Sequence, residues 1–498
     1  MPHHPPMRRY TLIAVVALVV LSGCAAPVSG PVDPVEADGS LGTIAGYAHD
    51  DVLGVDGTEA LSQAELEAVT YRAMARLEVL RGLEFEEDVE VEIVSREEYR
   101  EETGWADEPA SAFTNELWRA TFVVDGETDV NEAYDELYGA AVAGYYSNGE
   151  IVLVADDPDA ITVDRRVLVH ELVHALQDQH FGLGREGETL DERRAELGLI
   201  EGEAEYLPER YDERCGEEWE CLETPSRTVA EPTDRGFNVG LFLSIFAPYS
   251  EGPTFVAHLH ETGGWEAVDA AYDERPASTS QVIHPERYPD DRPLEVTVED
   301  RSSGGWAPIV EDGDENESEA VVRTETVGEA TLFATLWANG VIDRPLTEGA
   351  GEYSPYNYSH PITDGWAGDT FVAYEHEDGE TGHVWTLAWE TDEDAERFAA
   401  AYGNLLEQNG ATELEDGLYR IPDGDFAGAY YVALEGDVVT IVGGPDVEAH
   451  EGIHGVEVDG SLEPSVSTQS VAGPVAAGLE TVPRTPAAGA AAIAGPGR

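Results

Sequence analysis

The sequence contains no lysine: all 27 of its Lys+Arg residues are arginine, set against 102 Asp+Glu for a formal net charge of -75. That field repels phosphates and so argues against nucleic acid as a partner. Charge this one-sided would by itself point to disorder, but the acid is spread along the whole chain and 42% of residues are hydrophobic, enough to build a core. Solvent adaptation accounts for the pattern: in molar salt the Debye length shrinks to about 3 Å, and surface carboxylates hold water without repelling one another. Internal repeats are also missing, which removes the two similar strand-helix lobes expected of a solute-binding lipoprotein. Long apolar runs are missing too. The run from Thr11 to Leu21 falls short of the roughly 20 residues a spanning helix needs, and with Arg8 and Arg9 before it the segment reads as a secretory signal.

Cysteine is scarce, with only three. The first closes Leu21-Ser22-Gly23-Cys24, which resembles a lipobox and implies lipidation of Cys24 after removal of residues 1–23; an ordinary signal with an incidental cysteine is the alternative. The paired arginines partly resemble a twin-arginine signal. Cys215 and Cys221 remain as an even pair in an exported chain and are expected to form a disulfide. Asn316 and Asn357 each open an Asn-x-Ser glycosylation acceptor. Export to the cell surface, with membrane attachment through the lipid on Cys24, is the resulting expectation.

A chain of 498 residues has room for about two domains. Residues 24–45 are rich in Pro, Gly and acid and read as a tether. A capping box at Ser62 and Glu65 opens a helix that runs to Gly82. VEVEIV (89–94) alternates as a strand, and AVAGYYSNGEIVLVA (141–155) is two apolar runs around Asn148-Gly149, a hairpin signal. Residues 252–272 read as helix with a Gly-Gly break, and 329–340 as a helix ending in glycine. From about 366 strands dominate around one helix. Both faces of GHVWTLAWE are apolar, which calls for cover on each side of that strand. Residues 461–498 end in Ala, Gly and Pro and read as disordered.

The chemistry concentrates in VLVHELVHALQDQHF (167–181). In a helix, positions i and i+4 share a face, so His170 and His174 can chelate one ion, and zinc favours such nitrogen donors. Glu171 sits at the edge of that face, placed to take a proton from a metal-bound water. A third ligand is offered by the next helix, where Glu201, Glu203 and Glu205 interrupt an apolar stretch in which an unpaired carboxylate is costly. Glu201 is the candidate ligand. Glu205, one turn on, or Asp178, one turn after His174, can hold the other nitrogen of a ligand histidine. Glu203 reads as solvated. An electrophile for the developing oxyanion is sought in His284 and Tyr288, with His258 and His260 behind them. Asp369 reads as a turn residue.

HELVH on one helix with Glu201 and Glu205 on the next resembles the gluzincin branch of the zincin metallopeptidases. The preceding hairpin matches the edge strand that binds extended peptides there. HELVHALQDQHF, LIEGEAEYL, PASTSQVIHPERY (276–288) and GWAGD (365–369) together resemble a group of zincin-like proteins that includes haloarchaeal surface lipoproteins. Where gluzincins usually have Asn before the third ligand, this chain has Ile200. The resemblance implies a mainly helical zincin-like domain bearing a small edge sheet over 46–350; the strands and single helix after about 366 suggest a small α+β domain over 351–460, for an α+β fold as a whole. It implies zinc on His170, His174 and Glu201, Glu171 as general base, and a peptide or protein substrate. A catalytically inert envelope module on the same framework is the alternative reading.

Overall fold

The computed structural model describes residues 41–55, 57, 60–103, 109–155, 161–184, 187–223, 237–310, 321–455 and 491–493. Cys24, Asn316, the signal, most of the tether and most of the tail lie outside them. The chain is a mixed α+β protein. It begins with a two-stranded ribbon (β1, Thr43–Ile44; β2, Tyr47–Ala48) and helix α1 (Gln63–Arg81). Ser62 and Glu65 form the expected capping box, and Gly82 ends the helix at φ 81, a left-handed geometry that glycine adopts at little cost.

Strand β3 (Glu90–Ser95) is followed by α2 (Arg96–Thr103), α3 (Ala112–Ala120) and α4 (Val130–Ala141), then by the hairpin β4 (Val142–Ser147) and β5 (Glu150–Ala155). Asn148 and Gly149 turn it with φ 52 and 90, the double positive φ of a type I′ turn. β5 pairs parallel with β3 and antiparallel with β4. On the outer side of β4 lies β14 (Ala491–Ile493), paired antiparallel, so the sheet order is β14-β4-β5-β3.

Among the described residues, the α-helices that follow are α5 (Arg165–Phe181), α6 (Leu190–Asp212), α7 (Val239–Gly263), α8 (Trp265–Asp273) and α9 (Thr279–Ile283), with a 3-10 turn at Pro285–Arg287. The expected break falls at Gly263-Gly264, but α7 begins well before residue 252. Pro248 and Pro253 lie inside it, each removing a backbone donor. The cost is offset by burial, since Leu241, Phe242, Leu243, Phe246, Phe255 and Val256 are almost wholly enclosed.

The remaining elements are β6 (Trp306–Pro308), β7 (Thr324–Glu325), α10 (Gly328–Ala338), β8 (Trp366–His376), β9 (Thr381–Trp389), α11 (Asp392–Gln408), β10 (Thr412–Glu415), β11 (Leu418–Ile421), β12 (Gly428–Glu435), β13 (Val438–Gly444) and α12 (Ala449–His454). An eight-stranded sheet runs β10-β11-β12-β13-β9-β8-β6, with β7 also on β8. Trp385, Leu387 and Trp389 on one face of β9 and Val384, Thr386 and Ala388 on the other are all buried. Packing crosses residue 350: β6 and β7 join this sheet from earlier in the chain, and one core includes Phe113, Leu241 and Phe333 together with Trp385 and Ile441.

Asp369 is not a turn residue. It is buried in β8, and its carboxylate accepts from the backbone N–H groups of Val327 and Gly328 and from the indoles of Trp366 and Trp385. An anion at the start of α10 is favoured there by the helix dipole and the free N–H groups.

Candidate metal centre

Helix α5 is buried along most of its length, and Asp164 caps its start by accepting from Arg166 N. Its buried face meets α6, which Thr189 and Glu192 open with a second capping box. The two helices bring His170, His174 and Glu201 together, with all three donor atoms within 4.8 Å of one another. His170 Nε2 and His174 Nε2 are 3.1 Å apart, and Glu201 Oε2 lies 3.2 and 3.3 Å from them.

Those three separations fit a tetrahedral ion: bonds of about 2.0–2.1 Å give ligand-to-ligand edges of about 3.3–3.4 Å. The chemistry of the donors fits as well. His174 Nδ1 lies 2.8 Å from Gln177 Oε1, and His170 Nδ1 lies 3.3 Å from Glu205 Oε1. Acceptors on Nδ1 put the ring protons there and leave both Nε2 lone pairs directed at the carboxylate. Glu201 Oε2 is buried and has no hydrogen-bond partner of normal geometry. Three lone pairs converging in a buried site need a positive charge among them.

Without an ion, a proton serves. Burial alone would lower His170, but Glu201 and Glu205 outweigh it and hold the imidazole well above its ordinary value. Burial would raise Glu201, but the two histidines bring it down to about 2.

The surrounding contacts decide which acid orients which histidine. Glu205 faces His170 and is itself held by Arg166, whose other nitrogen pairs with Glu209. Asp178 takes no part: it accepts from Tyr146 OH and from Leu183 N. Gln177, which sequence reasoning passed over, holds His174 and donates to Ile200 O and Glu203 Oε2. Glu203 is not solvated but 1% exposed. Arg81 and Tyr272 both bond to it, and this neutralisation makes burial of its charge tolerable. Tyr249 was also missed. Its hydroxyl donates to Glu201 Oε1 at 3.0 Å, and its ring lies nearly parallel to that of His170. Only the tertiary approach of α7 to α6 reveals it.

Glu171 is fully buried, next to the first ligand. The two proposed electrophiles point elsewhere: His284 Nε2 lies 2.9 Å from Glu329 Oε1, and Tyr288 OH donates to the backbone oxygen of Glu274. His260 Nδ1 meets Tyr206 OH, and its ring stacks on Trp265. Cys215 and Cys221 are joined in a disulfide with Cα atoms 5.6 Å apart. Asn357 donates to Glu348 O and accepts from Ser359 N.

A family model described as a domain of unknown function (DUF8575) matches residues 318–454. The match runs from just before β7 to the end of α12 and leaves α5 and α6, with all three metal-ligand candidates, outside it. No curated protein and no solved structure matches the chain.

Proposed function

We propose that the protein is a zinc-dependent peptidase with a zincin-like centre, exported and held at the cell surface by a lipid on Cys24. The observation that carries this is the convergence of His170 Nε2, His174 Nε2 and Glu201 Oε2 at 3.1–3.3 Å, with Glu171 buried directly after the first of them in the chain. Three protein ligands are the number used by catalytic zinc, which keeps a position for water, whereas structural sites fill four. The group contains no fourth protein ligand among the described residues.

Zinc bound there would polarise a scissile carbonyl and bring the pKa of a water toward neutrality. The chain's own residues do the rest. Glu171 takes the proton of the attacking water and passes it to the leaving amine. Gln177 and Glu205 keep the two imidazoles in the tautomer with free Nε2, and Tyr249 fixes the rotation of the Glu201 carboxylate. Strand β4 packs against α5, but β14 and β5 pair with it on either side, so it is not the edge strand expected from the hairpin, and an extended peptide could pair there only by displacing Ala491–Ile493.

A second reading has one observation in its favour. His170 is 2% exposed, and Glu171, His174 and Glu201 are 0% exposed, as expected of a structural ion in an inert envelope module. The experiment is to purify the chain in molar KCl and measure zinc per chain together with chelator-sensitive cleavage of a peptide library. For a peptidase, Glu171→Gln keeps its zinc and loses about 10²–10⁴ in rate, while His174→Ala loses the zinc. Zinc without turnover supports the inert module; absence of zinc, or unchanged cleavage by Glu171→Gln, refutes the peptidase.

A further inference from the structure

We propose that His284, Glu329 and Asp364 form a second divalent-cation site, separate from the His170/His174/Glu201 centre and independent of the peptidase reading. Their three donor atoms also lie within 4.8 Å of one another. His284 ends α9, Glu329 stands in the first turn of α10, and Asp364 lies in the turn before β8. His284 Nε2 is 2.9 Å from Glu329 Oε1 and 3.7 Å from Asp364 Oδ1. Ligands at about 2.1 Å stand about 3.0 Å apart in adjacent octahedral positions and about 3.4 Å apart in a tetrahedron, so modest adjustment brings all three onto one ion. One imidazole with two carboxylates suits a borderline to hard divalent ion such as Zn²⁺ or Mn²⁺.

The burial of Glu329 distinguishes this group from a surface cluster of acids. Its side chain is 0% exposed, and Oε2 has no hydrogen-bond partner of normal geometry, the Ser280 hydroxyl giving it only partial help. The nearest cationic group, Arg287, comes only within 3.9 Å of that oxygen, and its own nitrogens are committed to Ser280 Oγ, the backbone oxygen of Asp364 and Glu390. A protonated His284 cannot replace the ion fully. Its single Nε2–H reaches Glu329 Oε1 and leaves the buried Glu329 Oε2 without a charged partner closer than Arg287, whereas a cation among the three neutralises both carboxylates at once.

The site would tie α9 and α10 to the segment leading into β8, binding the helical part of the chain to the large sheet. Glu329 and Asp364 fall inside the matched residues 318–454, and His284 falls outside them. Such an ion would therefore link the matched region to the helices before it.

The test is metal analysis of the full chain after loading with ZnCl₂, and separately with MnCl₂, followed by desalting in molar KCl. Asp364→Asn is the variant of choice because it keeps the Oδ1 that accepts from Ser359 Oγ and His360 N, preserving the turn while removing the charge. The wild type is expected to hold one ion more than Asp364→Asn, and His174→Ala is expected to keep that ion. Glu329→Gln should match Asp364→Asn, and both should lose the rise in thermal midpoint that added cation gives His174→Ala. If Asp364→Asn and the wild type bind equal amounts, or if His174→Ala binds none, the second site is refuted; loss of zinc in His174→Ala alone bears only on the first centre.

Discussion

At the level of single residues, the candidate metal centre depends as much on what holds His170, His174 and Glu201 as on those three residues. Gln177 bridges His174, Ile200 O and Glu203 with one amide, so its orientation is fixed by three partners. Gln177→Leu is expected to fold with His174 free to rotate and to lower zinc affinity about 10–100-fold. Competition with a chromophoric chelator measures this, and an unchanged affinity would remove Gln177 from the site. The grouping of His170 with His174 was legible in the sequence because helical spacing alone aligns them. Their supports were only half legible. Gln177 and Asp178 lie three and four residues after His174, and both spacings reach the same side of a helix. Which of the two turns toward the histidine depends on what the other finds, and Asp178 finds Tyr146 on β4. Spacing cannot foresee that partner, nor Tyr249 arriving from another helix.

Among elements, the critical contact is the crossing of α6 and α7. A Cβ on Gly202 would lie 2.4 Å from Gly252 O, and one on Gly252 would lie 2.3 Å from Gly198 O. The two backbones touch where Glu201 on α6 meets Tyr249 on α7. Gly202→Ala must push rigid backbone apart, an overpacking cost of about 1–3 kcal/mol, and the displacement acts directly on Glu201. Its expected signature is a lower urea midpoint together with weakened zinc binding, whereas Gly216→Ala in the exposed Cys215–Cys221 loop should leave zinc binding intact. Stability loss without any change in affinity would show that the crossing does not position the ligand. Helix ends and the Asn148-Gly149 hairpin were readable because capping and turn chemistry are local. The first half of α7, before residue 252, was not read from the sequence: Pro248 and Pro253 each remove a backbone donor, and only burial against the rest of the core offsets that loss.

For the whole molecule, local signals say little about which strands pair, and this is why the joining of β6 and β7 to the later sheet across residue 350 could not be read from the chain. Composition, by contrast, speaks directly to solution behaviour. With a net charge of -75, self-repulsion should weaken as salt rises and the Debye length falls from about 10 Å at 0.1 M to about 3 Å at 1 M. The thermal midpoint is therefore expected to climb with KCl over that range, and a flat profile would contradict a salt-adapted surface. Buried acids add a pH dependence that salt does not screen. Burial pushes Asp191 up to about 8 against its hydrogen bonds from Thr279, with Asp369 adding to the rise. In the unfolded chain Asp191 ionises near the ordinary aspartate value of 3.8, so between these two values the unfolded state releases a proton that the folded state retains. Stability from this group is accordingly fullest at the acid end and declines as pH rises through that window, by at most about 1.4 kcal/mol per pH unit. This is the reverse of an ion-paired carboxylate. Asp191→Asn keeps an uncharged acceptor for Thr279 and should flatten the slope, so urea midpoints of the two proteins in 3 M KCl (about 3 M, to hold screening constant) should converge toward pH 5 and separate toward pH 8. Parallel curves would mean that Asp191 ionises normally inside the fold.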